Sequence, residues 1–306
     1  MRSDVLTVER DGHVATLWLD RPEQRNAMGP AFWADLPVAM AELDDDPEVR
    51  AVVLAGRGPH FSAGLDLAAM AGDVVGAGPE RPSGAGGAGP ERPSRAGGAG
   101  PERPSRAGGA GLSGPSPAAR ATRFLATVTR LQRSITSVER CAKPVVAAIQ
   151  GACIGGGVDL VTACDIRLCS ADATFSVRET RMAMVADVGT LQRLPRIVGR
   201  GHAAELALTG RDVGAVRARE IGLVNDVLAD ADSLHAAAAA LAVEIAANSP
   251  LAVQGTKHVL RACEDRTVDE GLDYVGVWNA AFLVSDDLTE AMTAYFEKRP
   301  PHFGGT

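Results

Sequence analysis

The sequence predicts an α/β fold in which strands and helices alternate to build a mainly parallel sheet, followed by a stretch that is helical only. Three observations carry this. VRAVVLA at 49–55 and KPVVAAIQG at 143–151 are short apolar runs with the character of strands buried on both faces. Each runs into glycines and then into a helical pattern, as strand–crossover–strand units do. From Asp232 onward no strand pattern recurs.

In chain order, residues 4–20 read as two strands around a turn at Asp11-Gly12, with VATLWLD alternating in the manner of a sheet strand. Pro30 suits a first helical position, and Phe32, Leu36, Ala39, Met40 and Leu43 form a helical stripe behind it. After the 49–55 strand, FSAGLDLAAM is a glycine elbow leading into a helix. Residues 72–117 differ in kind, because AGPERPSGAGG and two copies of AGPERPSRAGG repeat there with an 11-residue period from Ala77. Such a segment lacks an apolar face to offset its ordering entropy, so it is expected to be a disordered loop inserted in the domain. A helix is predicted over 117–141, then the 143–151 strand, a helix in IGGGVDLVTAC, and strands in DIRLCS and ATFSVRE. Helices near 188–198 and 200–208 and a strand at 223–228 complete a core of residues 1–230. Helices at 233–247, 250–263, 268–284 and 286–297 make a C-terminal helical region, residues 231–306, whose apolar surface is a candidate subunit interface.

Composition narrows the function classes. The chain has 306 residues, 46% hydrophobic and 4% aromatic, so a large core must be built from Ala, Val, Leu and Ile. A net charge of -7 with no basic face argues against nucleic acid as a partner. Five Cys without a C-x-x-C pair argue against a disulfide framework or zinc site and for reduced thiols; six scattered His show no ligand spacing. No metal or separate cofactor is expected. No apolar run reaches membrane-spanning length, no signal-peptide pattern opens the chain, and the final GGT is no peroxisomal address, so a cytoplasmic protein with no membrane partner is expected.

The chemistry centres on two glycine elbows and three acids. In VVLAGRGPHFSAGLDL and VVAAIQGACIGGGVDL a buried strand runs into glycines and a helix start. Amides freed at such turns can converge on one oxygen as an oxyanion hole, although each elbow taken alone reads equally as a structural turn. Asp159, Glu179 and Asp187 lie in apolar, glycine-rich text, where carboxylates are expensive to place without a role. Each has a structural alternative: Asp159 as a first-turn helix acid, Glu179 paired with Arg178 or Arg181, and Asp187 as the N-cap of the following helix. Asp165 and Asp172 read as strand-edge and turn residues.

Both elbows together, with RPEQRNAM near the start and EKRPPHF near the end, resemble the crotonase (enoyl-CoA hydratase/isomerase) superfamily over nearly the whole chain outside 72–117. The resemblance implies a crotonase-like ββα spiral core with a C-terminal α-helical trimerisation layer, a homotrimer or homohexamer, and an acyl-CoA substrate that brings coenzyme A with it. It implies oxyanion-hole amides at Leu65 and Gly156. It also implies substrate or CoA contacts at Arg25, Asn26, Ala27, Ala63, Gly64, Leu65, Asp66, Leu67 and Gly156, with Asp66 itself more structural than catalytic. The family's hydratases use two glutamates. Here Glu179 matches the second, Asp159 replaces the first, and Asp187 stands where hydratases carry a small residue, a trio similar to that of the family's dienoyl-CoA isomerases. Those enzymes move a proton from carbon 2 to carbon 6 of a 3,5-dienoyl chain in fatty-acid β-oxidation. The implied roles are Glu179 as base at carbon 2, Asp187 as acid at carbon 6 and Asp159 as the residue that tunes the pair. Hydration of a 2-enoyl-CoA, and a non-enzymatic CoA- or RNA-binding relative, are the competing readings. A serine-hydrolase reading lacks a credible Ser-His-Asp set.

Overall fold

In the computed structural model the described residues are 3–74 and 116–306. The N-terminal strands β1 (Leu6–Asp11) and β2 (Val14–Leu19) pair antiparallel around the expected turn. Helix α1 (Pro30–Asp45) begins at Pro30, where the missing N–H would have had no helical partner, and it buries the expected stripe together with Trp33. Strand β3 (Ala51–Gly56) is buried at every residue, and α2 (Leu67–Val74) follows the first elbow. Helix α3 (Pro117–Arg140) leads to β4 (Val145–Ile149), β5 (Ala152–Ile154), α4 (Gly156–Thr162), β6 (Ile166–Ser170) and β7 (Thr174–Ser176). Helices α5 (Thr190–Val198) and α6 (Arg200–Thr209), strand β8 (Val213–Gly214), α7 (Ala215–Glu220) and β9 (Asp226–Leu228) come next. The chain ends in α8 (Ala231–Ala246), α9 (Pro250–Ala262), α10 (Val268–Phe282) and α11 (Asp286–Glu297).

Residues Met1–Met70 with Val128–Thr306 form one compact unit, and Ala71–Thr127 another. Both sheets and all helices from α4 onward belong to the first. Most of the segment expected to be disordered lies outside the described residues. At its near edge α2 runs on to Val74, so residues 72–74 are helical rather than loop.

The main sheet has the order β1-β2-β3-β4-β6-β9 and is parallel from β2 onward. A second sheet, β5-β7-β8, pairs β5 with β7 in parallel and β7 with β8 antiparallel. Sequence reasoning missed β5, β8 and α7, because strands of three and two residues are too short to show a period of two. Alternate residues Ala51, Val53 and Ala55 of β3, Val146 and Ala148 of β4, and Leu168 of β6 pack against α8. That helix answers with Leu234, Ala238, Ala242 and Ala246, one every four residues. Small side chains let helix and sheet approach closely, which is how a core poor in aromatics is filled.

The cysteines are all free, with Cys141, Cys153, Cys164 and Cys169 buried. Burial pushes the thiols of Cys141, Cys164 and Cys169 up to about 12, so they are inert as nucleophiles at neutral pH. Asp165 accepts from the Val145 N–H at 2.7 Å and from Lys257 Nζ at 2.6 Å, a strand-edge role, while Asp172 takes the Ser170 hydroxyl in a turn. Among the described residues no single helix is long and apolar enough to cross a membrane, and no cluster of three or more His, Cys, Asp or Glu could hold a metal ion.

Candidate active site

Because β3 and β4 are parallel neighbours, the two glycine elbows that follow them open at the same edge of the sheet. Backbone bonds stitch them side by side. Ser62 N–H donates to the Ala152 carbonyl at 2.9 Å, and Ile154 N–H donates back to Ser62 O at 3.0 Å. The 25–28 segment joins on the other side: Ala63 N–H bonds Arg25 O at 2.9 Å, Met28 N–H bonds Gly64 O at 2.8 Å, and Asp66 N–H bonds Met28 O at 3.1 Å. The Ser62 hydroxyl closes the join by donating to Asn26 O at 2.8 Å while accepting from Gly64 N–H at 3.1 Å.

This pattern spends the amides on either side of Leu65 and leaves Leu65 itself out. Among the described residues neither the Leu65 N–H nor the Gly156 N–H, at the first position of α4, donates a hydrogen bond to the protein. The two are neighbours: a Cβ placed on Gly64 would stand 3.3 Å from Gly156 N, and one on Gly156 would stand 3.9 Å from Leu65 N. Gly64 has φ +85° and no room for a side chain, since its Cβ would meet Ile154 O at 2.5 Å. Gly64→Ala is therefore expected to cost about 3 kcal/mol through strain and clash. Urea unfolding would read this as a lower midpoint, and an unchanged midpoint would refute the stitched geometry.

Several residues expected to contact the ligand are engaged within the protein. Asn26 is buried, with φ 53°. Its Oδ1 accepts from Arg21 N–H at 2.9 Å, and its Nδ2 donates to Arg57 O at 3.0 Å and His60 O at 2.8 Å. Its side chain therefore ties the segment to the turn after β3 and leaves the exposed Arg25 and half-buried Ala27 on either side. Asp66 caps α2 by accepting from Ala69 N–H at 3.0 Å and faces Arg21 Nη1 at 3.5 Å. Ala63 is half-buried beside the unpaired amides, and Leu67 is exposed at the start of α2.

The three acids gather beyond the second elbow. Asp159 is 1% exposed on α4; its Oδ1 accepts from Thr190 N–H at 2.6 Å, and its Oδ2 is buried with no partner among the described residues. Burial raises its pKa to about 7, with the charge of Glu179 pushing the same way and the Thr190 bond opposing. Glu179 opens a short 3-10 turn, Glu179–Met182, with Oε1 3.3 Å from where a Cβ on Gly155 would stand. Its Oε2 is likewise buried without a partner, and its carboxyl is raised above 4.5 by burial and by the Asp187 charge. Asp187 is open to solvent, yet enough protein surrounds it that desolvation raises its carboxyl too. The arrangement is a graded line of carboxylates, from sealed Asp159 through Glu179 to accessible Asp187, each raising the one before it.

Asp187 does not cap α5. That helix begins at Thr190 with Gly189 at its N-cap, and its first amide is taken by Asp159 from 31 residues away. Thr190 and Arg193, whose charge lowers Asp159, were missed in the sequence because nothing local marks a bond between helices so far apart.

Paired unspent amides beside carboxylates of raised pKa are an arrangement that can hold an oxyanion and move a proton next to it. The Enoyl-CoA hydratase/isomerase family pattern matches residues 9–79 and 116–306, passing over most of the repeat, and the chain belongs to this family. It is similar to the peroxisomal Delta(3,5)-Delta(2,4)-dienoyl-CoA isomerase of Arabidopsis thaliana, 41% identical across 98% of this chain and 96% of the relative. It is similar also to the mitochondrial enzyme of that name from Dictyostelium discoideum, 42% identical across 95% of this chain and 87% of the relative. Among solved structures, an enoyl-CoA hydratase from Bacillus anthracis superposes with a TM-score of 0.80 at 28% identity, covering 99% of this chain and 100% of that one. The cytoplasmic expectation is overturned by these relatives, which are peroxisomal or mitochondrial; the lack of a recognisable address in the text was a poor guide to compartment.

Proposed function

We propose that this chain is an acyl-CoA isomerase that converts 3,5-dienoyl-CoA to 2,4-dienoyl-CoA in fatty-acid β-oxidation. Its substrate is an acyl-CoA thioester. The observation that carries the reading is the line of three carboxylates of raised pKa beside two unspent amides. The thioester oxygen accepts from Leu65 and Gly156 N–H, which stabilise the charge that grows as the carbon 2 proton leaves. Glu179, against the second elbow, takes that proton. Reprotonation is required four carbons further along, beyond the reach of one short side chain, and Asp187 delivers it. Asp159, which can take up or release a proton near neutrality, adjusts the charge around Glu179 as the substrate proton moves. Arg25, exposed beside the elbow, and half-buried Ala27 take the nucleotide end, and the coenzyme enters only as part of the substrate.

Incubation with a 3,5-dienoyl-CoA is expected to produce the absorbance of a conjugated 2,4-dienoyl thioester. Rapid hydration of a 2-enoyl-CoA with no dienoyl isomerisation would instead make the chain a hydratase. Assembly as a homotrimer or homohexamer is supported by apolar side chains left exposed on the C-terminal helices, among them Val277, Phe282, Tyr295 and Phe296. The repeat is dispensable on this reading. Deleting residues 77–110 is expected to leave the unfolding midpoint and the isomerisation rate within about twofold, since a segment without an apolar face adds little to a core. Loss of soluble protein or of turnover in the deletion would contradict it.

A further inference from the structure

The acid at the open end of the carboxylate line sits on a short irregular stretch between the 3-10 turn and α5, yet its chemistry requires it to be held opposite one carbon of the substrate. Ala186 and Val188 are buried on either side of it, 6% and 8% exposed, so the backbone is anchored by its neighbours while the Asp187 side chain points outward. The remaining constraint comes from α3. Gln132 Nε2 donates to the Asp187 carbonyl oxygen at 2.7 Å. Four residues on, Thr136 Oγ1 accepts from Arg193 Nη2 at 3.1 Å. Three further, Glu139 takes Arg193 in a two-pronged bond, with Nη2 to Oε2 at 2.7 Å and Nε to Oε1 at 3.2 Å.

Residues 132, 136 and 139 share one face of a helix, and all three hold the same passing segment. The ion pair is the firm end of this grip. Arg193 and Glu139 side chains are only 13% and 29% exposed, and although burial opposes it, the Arg193 bonds hold the Glu139 carboxyl below its usual value. Gly189 is part of the fit, because it has φ +134° and a Cβ there would stand 1.8 Å from Arg193 Nη1. A side chain at 189 would evict the guanidinium from its place over the start of α5.

We infer that Gln132 is a positioning residue for the proton delivery at carbon 6, acting through the Asp187 main chain, with the Thr136–Glu139–Arg193 contacts fixing the segment behind it. The proposal rests on the assignment of Asp187 as that acid. Gln132 touches no reacting atom. It removes the freedom of one peptide unit, so the acid swings only about its own side-chain bonds.

The two half-reactions separate this from a general loss of structure. In deuterium oxide with a 3,5-dienoyl-CoA, exchange at carbon 2 reports the base, and formation of the conjugated product reports delivery at carbon 6. Gln132→Met, similar in length but without the donor, is expected to lower kcat for isomerisation about tenfold with KM unchanged, while carbon 2 exchange in recovered substrate continues at the wild-type rate. Gln132→Glu, which sets an acceptor against an acceptor, is expected to lose more. Asp187→Asn, run alongside, should show the same split in extreme form. Equal loss of both half-reactions in the Gln132 variants, or loss of neither, would overturn the positioning role while leaving the Asp187 assignment in place. Isomerisation by Asp187→Asn at the wild-type rate would overturn that assignment, and this proposal with it.

Discussion

Asp159→Asn is expected to make the protein more stable and nearly inactive. The wild-type carboxyl has a pKa of about 7 in the fold against 3.8 unfolded, so the folded state binds the extra proton between those values. Stability therefore falls as pH rises from about 4, and levels off once the folded group has ionised near 7. At 1.36 kcal/mol per unit the full penalty is about 4 kcal/mol. Asn keeps an oxygen for the Thr190 N–H and never ionises, but it places an amide where Oδ2 has no partner, which returns about 1–2 kcal/mol of the gain. A net gain of about 2–3 kcal/mol at pH 8, shrinking to nothing or reversing by pH 4, is the expected result of urea unfolding across that range. A variant less stable than wild type at pH 8 would show that the buried carboxylate is better solvated than its surroundings imply. Isomerisation should fall at the same time, because the amide can neither hold a proton for the line nor respond to the charge on Glu179. A residue that costs the fold stability and serves the chemistry is the signature of a working site.

Glu179→Gln is expected to lower isomerisation by about 10²–10⁴, the usual share of a positioned base. The shape of the site survives, since Gln fills the same space against Gly155, so KM should hold and kcat should carry the loss. Carbon 2 exchange should disappear with it, whereas the Gln132 variants keep that exchange. In the wild-type enzyme the base must be ionised. Burial, reinforced by the Asp187 charge, raises its pKa, so kcat/KM should fall with acidification at a pH above the ordinary 4.5 of a glutamate. Retention of carbon 2 exchange in the variant would assign the base elsewhere.

Much of this architecture was legible in the sequence, for definable reasons. The 49–55 and 143–151 runs were readable because a strand buried on both faces needs no periodicity, only uninterrupted apolar text. Helix α1 was readable because Pro30 marks its start and a stripe of large side chains follows. The second sheet was not readable, since β5 and β8 are three and two residues long and exist by pairing with β7. At the site, the residue types and the glycines pointed to the chemistry through family resemblance, but the relations among the acids did not. Asp187 had a helix cap as its structural alternative, because the text after it is helical and Asp caps well. The actual partner of that helix start is Asp159, and only the packing of α4 against α5 reveals it. The motif around Asn26 marked its segment, while its side-chain bonds to Arg21, Arg57 and His60 are tertiary and leave no trace in the text.

The bridge between Met28 and Leu65 carries a further consequence. In a parallel pairing only every second residue of a strand commits its own amide to the neighbour, and here Gly64 and Asp66 supply the acceptor and the donor to Met28, so Leu65 is passed over. The unspent amide is thus a matter of odd and even. Shortening or lengthening the chain by one residue between Phe61 and Leu65 would leave the composition and burial of the elbow almost untouched while exchanging the idle amide for an occupied one. Single-residue insertions and deletions there should be far less tolerated than substitutions, and a pair of compensating changes that restores the parity should recover what either one loses.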